Sequence, residues 1–417
     1  MAGGTTSTLD AITKVFYVNN KVVDQLHSKS ILFDKTVKKR ETDVGGKSYT
    51  FAIRTDRNQY AGRGISESGD YGTVGNQTVA NVVVPNKEVV TPIELSSRVL
   101  NATQGGSRKA FIDAFTMEVE KGMEDTVYAL NRQLHSDGTD ALAFWTGVDD
   151  STATVVDDGQ GNAFPIHLTS KATICDLIDA GDNATKRGNS IVVTKGAEGA
   201  NDVALSWSGT VASSADGDYL VMEDTLGNQL MGIRGIVSNV DPPLLSGGLH
   251  GLTVAAQPEW VSQVNSNSGT KRDLTFAMLQ EMLTRIAIRS NSTDDDIDLL
   301  MCNGYVFNKY VALCVASQYH YNTTTLRGGQ TAVSFNGKTF VKDAQCRRNT
   351  LYFLNTSSLQ FLTATGGLGF ADWEGAKWKQ KIGSSGYAAA YQAFITIEGD
   401  LCTTSRNRNG VILDITD

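Results

Sequence analysis

Lys47 stands where a nucleotide-binding lysine would, in Gly46-Lys47-Ser48, the ending of a loop that cradles phosphates. Such a loop needs a glycine five residues before Gly46, so that backbone amides can close on the phosphate, and a helix after it. Glu41 holds the first position, and an alternating strand pattern follows instead of a helix. Gly62-Arg63-Gly64 opens as a dinucleotide-binding turn opens, but the sixth position is Glu67 and no helical pattern comes next. Asp294, Asp296 and Asp298 have the spacing of a calcium loop, yet Leu299 stands where the turn glycine belongs and Tyr305 where the bidentate acid belongs. They read as a solvated acidic turn. The five histidines (His27, His135, His167, His250, His320) have no second histidine three or four residues away, so none forms the helical pair of a metal site. No Gly-x-Ser-x-Gly nucleophile elbow occurs. The five cysteines (Cys175, Cys302, Cys314, Cys346, Cys402) are never closer than twelve apart. That spacing fits neither a disulfide framework nor a zinc ribbon, and they read as buried reduced thiols. The expectation is a protein with no catalytic residues, no metal and no cofactor, and therefore not an enzyme.

What remains is surface and charge. A net charge of −8 over 417 residues argues against a basic nucleic-acid clamp. The first 47 residues run the other way, with eight Lys/Arg against five acids, densest at Lys38-Lys39-Arg40. Hydrophobic residues at 41% and charged residues at 20% are ordinary for a globular chain. Its length exceeds one core, so two or three domains are expected. No apolar run approaches the roughly 18 residues of a membrane span. Met1-Ala2-Gly3-Gly4-Thr5-Thr6 has neither the basic nor the apolar region of a signal peptide. A cytoplasmic chain, or something assembled in a cytoplasm, is expected.

The elements come in a telling order. Residues 1–44 read as an arm whose apolar anchors, among them Ile31, Leu32 and Phe33, need a surface to lie on. Tyr49, Phe51 and Ile53 alternate with polar or small residues, the period of a strand. Val79–Leu95 is a second β-rich run, which Pro85 and Pro92 demote to an edge or break in two. Between them, Arg57 to Thr78 hold five glycines and only two larger aliphatic residues, Ile65 and Val74. A loop this long without a core is usually functional, and a two-stranded hairpin is marginal alone. The cheapest partner is a neighbouring copy. Residues 108–135 show the clearest helical stripe (Phe111, Phe115, Val119, Met123, Val127, Leu130, Leu134), with Ser107 as N-cap and Gly138 as terminator. Residues 150–255 turn to short strands and glycines, with strands expected at Ile191–Thr194, Val203–Ser208, Tyr219–Glu223 and Leu230–Val237. Two helices follow, one capped by Asp273 and carrying Phe276, Leu279, Leu283 and Ile286, the other carrying Val306, Tyr310 and Leu313, after a strand at Ile297–Cys302. Asn336-Gly337 marks a tight hairpin. Strands follow at Leu351–Leu362, Tyr391–Cys402 and Val411–Ile415. Irregular alternation of helices and strands predicts an α+β fold.

This order resembles the major capsid proteins of tailed bacteriophages, the Hong Kong 97-type fold that encapsulin shells share. Tyr49–Ile53 through Glu88–Leu95 resembles the extended loop, and Phe111–Leu134 the spine helix. Thr350–Leu354 with Asp372–Trp378 is similar to the late peripheral strands, and Gly217–Val221 with Gly251–Thr253 and Glu259–Val261 to the insertion of some members. The resemblance implies an N-terminal arm (1–44), an extended β-hairpin loop (45–98), a peripheral domain with the spine helix (99–149), an all-β insertion (150–262), an axial domain (263–345) and peripheral return strands (346–417). It implies copies packed in hexamers and pentamers of an icosahedral shell around double-stranded DNA, assembled in the host bacterial cytoplasm. Portal, scaffolding or decoration proteins would be its partners, with no membrane. Arg57, Tyr60, Arg63, Glu67, Asp70 and Tyr71 are then the expected inter-subunit contacts, and Lys38, Lys39 and Arg40 an inner-face cluster toward DNA. Some members weld subunits through a loop lysine, but none lies between Lys47 and Lys87 here, so a non-covalent shell is expected. The alternatives are a tail tube or decoration protein, or an encapsulin-type shell. The 28-residue helical stripe argues against the tube, and the size of the β insertion against the encapsulin.

Overall fold

The computed structural model describes residues 30–40, 47–58, 60–62, 64–70, 75–97, 114–146, 152–162, 168, 172–198, 203–212, 214–291, 296–317, 323–325, 331–363, 368–371, 377–383 and 386–416. The fold is α+β, as the sequence indicates.

The longest strand, β20 (Gly386–Thr403), is the axis of a six-stranded sheet. β4 (Lys87–Ser96) runs antiparallel to it from Gly399↔Lys87 to Ala390↔Ser96. β17 (Leu359–Thr363), β18 (Gly369–Phe370) and β19 (Lys379–Gly383) pair with other stretches of it. β1 (Val37–Arg40) adds in parallel beside β17. Pro92 is tolerated because β4 pairs with no described strand except β20. The short helix α1 (Ile31–Lys35), capped by the Ser30 hydroxyl, buries Ile31 and Leu32 and sets Phe33 edge-on to Phe361 at 5.5 Å. This stretch of the arm finds its surface on its own chain.

Helix α2 (Ala114–His135) lies on β4 and β20. Its expected start, with Ser107 and Phe111, falls outside the described residues. Its buried face also differs from the expected stripe. Val119, Met123 and Val127 are only half-buried, while Thr126 is wholly buried. A Cβ on Gly122 would come within 2.9 Å of Ile93 Cδ1. Thr126 Oγ1 bonds back to the Gly122 carbonyl at 2.7 Å and meets the Thr91 hydroxyl at 2.8 Å. The helix approaches the sheet on small residues, which a count of large apolar side chains overlooks. Leu130 and Leu134 are buried as expected.

A seven-stranded sheet runs in the order β11 (Gln263–Asn265), β21 (Gly410–Ile412), β16 (Leu351–Leu354), β12 (Leu299–Cys302), β15 (Lys338–Lys342), β14 (Thr331–Phe335), β13 (Thr323–Thr325). It thus draws strands from both sides of residue 345. Helices α4 (Phe276–Ser290) and α5 (Gly304–Ala316) share its core through Leu279, Leu283, Ile286, Val306, Phe307 and Tyr310. The cap of α4 is Thr275, whose hydroxyl accepts Met278 N–H at 3.3 Å, and not Asp273. Asn336 and Gly337 both take positive φ, at 50° and 77°, as a type I′ turn requires.

The all-β region is a closed barrel in the order β10 (Tyr219–Met222), β5 (Ala143–Thr146), β6 (Thr152–Asp157), β9 (Val203–Ser208), β8 (Lys186–Glu198), β7 (Thr173–Ile178). β9 alternates buried and exposed along its whole length. Its core joins Val155, Leu177, Ile191, Val193, Leu205 and Trp207. The stretch Leu230–Val237, expected as a strand, contains instead a helical turn, α3 (Ile233–Ile236). Its side chains and Trp260 pack in the main core with Leu130 and Phe361. A short run apolar on every side carries no period, so pattern alone does not separate strand from turn. Gly232 leads into the turn at close quarters with α2, where a Cβ would meet the Ser136 carbonyl at 2.3 Å.

Candidate assembly interface

β2 (Ser48–Asp56) and β3 (Thr78–Pro85) form a two-stranded antiparallel sheet, paired from Ser48↔Pro85 to Asp56↔Thr78 with a register shift between Arg54 and Asp56. Burial falls along it. Tyr49, Val82 and Val84 at the base belong to the main core, Phe51 and Ile53 are half-buried, and Val79 near the tip is 59% exposed. The base is held from two sides. Val83 N–H donates to the His250 carbonyl at 2.9 Å. Lys87, just after the hairpin, lies 3.5 Å from Asp400 and donates to the Gln229 carbonyl. Asp400 Oδ1 in turn accepts Met231 N–H at 2.7 Å. Burial raises the Asp400 pKa above the carboxylate norm, against the pull of Lys87.

Beyond Asp56 the loop is organised by Asn58. Its Nδ2 donates to the Gly75 carbonyl at 2.7 Å and its Oδ1 accepts Tyr60 N–H at 2.9 Å, so the two ends of the loop are tied. Asp56 Oδ1 accepts Arg57 N–H at 2.7 Å. Of the expected contact residues, Arg57, Tyr60, Glu67 and Asp70 are exposed, as is Ile65. Arg63 and Tyr71 lie outside the described residues. Among its described residues the loop has polar tethers and no buried side chain. Lys38, Lys39 and Arg40 fall in strand β1, which pairs with β17 and not with the hairpin.

A groove of about 560 Å³ opens at the loop end of β2, which spacing did not reveal. Arg54 and Arg57 come to it from the hairpin, Arg289 from the end of α4, and Arg408 from the turn Arg406–Arg408. Arg289 pairs with Glu259 at 3.1 Å and Arg408 with Asp296 at 3.1 Å. Arg54 and Arg57 have no ion pair among the described residues. The groove therefore keeps a positive surplus on an acidic chain. Behind it Arg406 is wholly buried and donates to the Ile236 and Val240 carbonyls at 2.8 and 2.9 Å. Burial lowers its pKa to about 10. It is a fastener that ties the segment around α3 to the end of the chain.

The catalytic inventory is short. All five cysteines are free and buried, and desolvation raises the Cys175 thiol to about 12, far from a reactive thiolate. Among the described residues no three His, Cys, Asp or Glu side chains could hold a metal ion. No described helix is long and apolar enough to cross a membrane.

No family model and no curated protein matches this sequence. Solved structures do match. A chain of the cyanophage A-1(L) capsid asymmetric unit superposes with a TM-score of 0.58 at 11% identity, over 95% of this chain and 96% of that one. A chain from Mycobacterium phage Bobi gives 0.47 at 10% identity, with 99% of each chain covered. The SrpI encapsulin of Synechococcus elongatus PCC 7942 gives 0.45 at 9%, over 100% and 96%. The fold of this chain is the one seen in the cyanophage capsid chain, over 95% of its length.

Proposed function

We propose that this chain is the major capsid protein of a tailed bacteriophage, whose copies assemble as hexamers and pentamers into an icosahedral shell around double-stranded DNA. One observation carries the reading: a capsid-chain fold over nearly the whole sequence, bearing a long hairpin that is anchored at its base and bare at its tip. A projecting hairpin with no core gains order by lying on a neighbouring copy, and repeated heterologous contacts of that kind close a shell. The arginine groove at the loop end of β2 supports the same reading, since Arg54 and Arg57 can take carboxylates of an acidic neighbour. Lys38-Lys39-Arg40 then lines the inner face against DNA, and portal, scaffolding or decoration proteins complete the head in the host cytoplasm.

Negative-stain microscopy of the purified protein tests this directly. Closed shells or capsomer rings are expected. Tubes would point to a tail protein, and particles no larger than a few chains would end the capsid reading. Shells that form in infected cells and hold cargo protein in place of DNA would make it an encapsulin.

A further inference from the structure

The tip of the loop and the groove at the end of β2 are complementary surfaces of one chain. At the tip, Gly69 N–H donates to the Ser66 carbonyl at 2.9 Å and closes a tight turn with Glu67 at its corner. Ser66–Asp70 carries two carboxylates, Glu67 and Asp70, and no cation. Both are exposed, and neither has an ion pair among the described residues. Ile65, beside them, is 46% exposed. In the groove, the guanidinium groups of Arg54, Arg57, Arg289 and Arg408 outnumber the carboxylates of Asp56, Glu259 and Asp296 around them. Glu259 pairs with Arg289, Asp296 with Arg408, and Asp56 holds the Arg57 backbone N–H. Arg54 and Arg57 are exposed and carry the surplus. Ile288 lines the same groove and is 74% exposed, although α4 buries Leu279, Leu283 and Ile286. A bare apolar side chain thus stands beside bare cations, as Ile65 stands beside bare carboxylates.

Within one copy no ion pair joins tip to groove among the described residues. We propose that the tip of one copy seats in the groove of a second, a contact that rests on the capsid reading. Glu67 and Asp70 meet Arg54 and Arg57 there, and Ile65 covers Ile288. Planar guanidinium matches a carboxylate through two parallel hydrogen bonds, which fixes orientation as well as attraction. Tip and groove are different patches of the same surface. The contact is therefore heterologous and passes on from copy to copy instead of ending at a pair. Each exposed ion pair is weak alone, but this one recurs at every copy, and like charges brought together by a wrong register repel.

Charge exchange in the full chain decides it, with the yield of closed particles read by sedimentation. The tip reversal is Glu67→Lys with Asp70→Lys, and the groove reversal is Arg54→Glu with Arg57→Glu. Each should cut the yield about tenfold or more, because like charges then face each other. Both should still melt cooperatively, since all of the changed side chains are exposed. A chain carrying both reversals should form particles again. The neutral pair Glu67→Gln with Asp70→Asn keeps the shape of the tip and should fall between, and it reads the same contact if a reversed chain does not fold. The proposal is overturned if either reversal or the neutral pair assembles as the parent does, or if the doubly reversed chain stays dispersed. In each of those cases parent shells leave the capsid reading standing. A parent that forms no particles ends that reading, and this contact with it.

Discussion

The barrel and the hairpin are both antiparallel, yet they treat their edges in opposite ways. The barrel closes from β10 through β5, β6, β9 and β8 to β7, so every strand has two neighbours and the inward side chains share one core. The hairpin leaves both edges of β2 and β3 without a described strand and passes from core to solvent along its length. Closure removes the edge as a template for association. The region that covers its own edges and the region that leaves them bare are thereby told apart among the described residues. The barrel's own ties to the body make the same point: Arg132 grips Asp140 with two bonds of 2.8 and 2.7 Å, both groups buried.

The sharpest way to break this contrast is to delete Gly62–Gly72. Closed particles should vanish from sedimentation profiles while the subunit's melting temperature stays put; an unfolded subunit, or intact shells, would erase the distinction. Next is Asp140→Ala, which strands the Arg132 charge at the barrel's root and should cost about 3–5 kcal/mol in urea unfolding. A cost under about 1 kcal/mol would mean the barrel is not anchored there.

Acid probes the hairpin's anchor. Burial holds the His250 pKa at about 3, with Lys87 and Arg406 adding, against 6.5 for the free side chain. The unfolded chain therefore takes up a proton below pH 6.5 that the folded chain refuses until about pH 3. Stability present above pH 6.5 is lost as pH falls through that window, by about 2–3 kcal/mol at pH 4.5. His135, also held low by burial, adds its own share. His250→Asn keeps the positive φ of 55° and should shrink the acid loss by the first share alone. An unchanged pH slope in paired unfolding curves would show that His250 is not buried neutral.

Gly122→Leu should cost about 1–3 kcal/mol by overpacking against Ile93 and Ile395. A thermal melt showing no loss would restore the stripe through Val119 and Met123 as the buried face. The smallest effect expected is none at all. Boiled, unreduced particles should run as one band near 44.8 kDa, since the hairpin offers no lysine for a weld. A ladder that resists reductant would contradict that.

Signals that act through backbone geometry were legible in the sequence. Asn336-Gly337 specifies its turn because both residues must take positive φ, and Val203–Ser208 shows its barrel face by alternation. The bare loop between β2 and β3 was legible from its missing core. Contacts made by small residues were not, because Gly122 and Thr126 carry no hydrophobic signal. Nor were those set by distant segments. β11 pairs in parallel with β21, Gln263 opposite Gly410, and no local pattern foretells that. The arginine groove shares this origin: Arg54, Arg57, Arg289 and Arg408 come from three parts of the chain, so their convergence leaves no spacing to read.

The ten-residue register of β4 on β20 has a mechanical meaning. A pull on the hairpin along its strands reaches β4 through Asn86 and is directed along that ladder, whose hydrogen bonds lie across the strand axis. Loaded in this direction, the bonds bear tension together as a lap joint does, and none is peeled before the next. The joint continues through β20 into β17, so traction applied at the tip spreads into the whole sheet before any single bond must give.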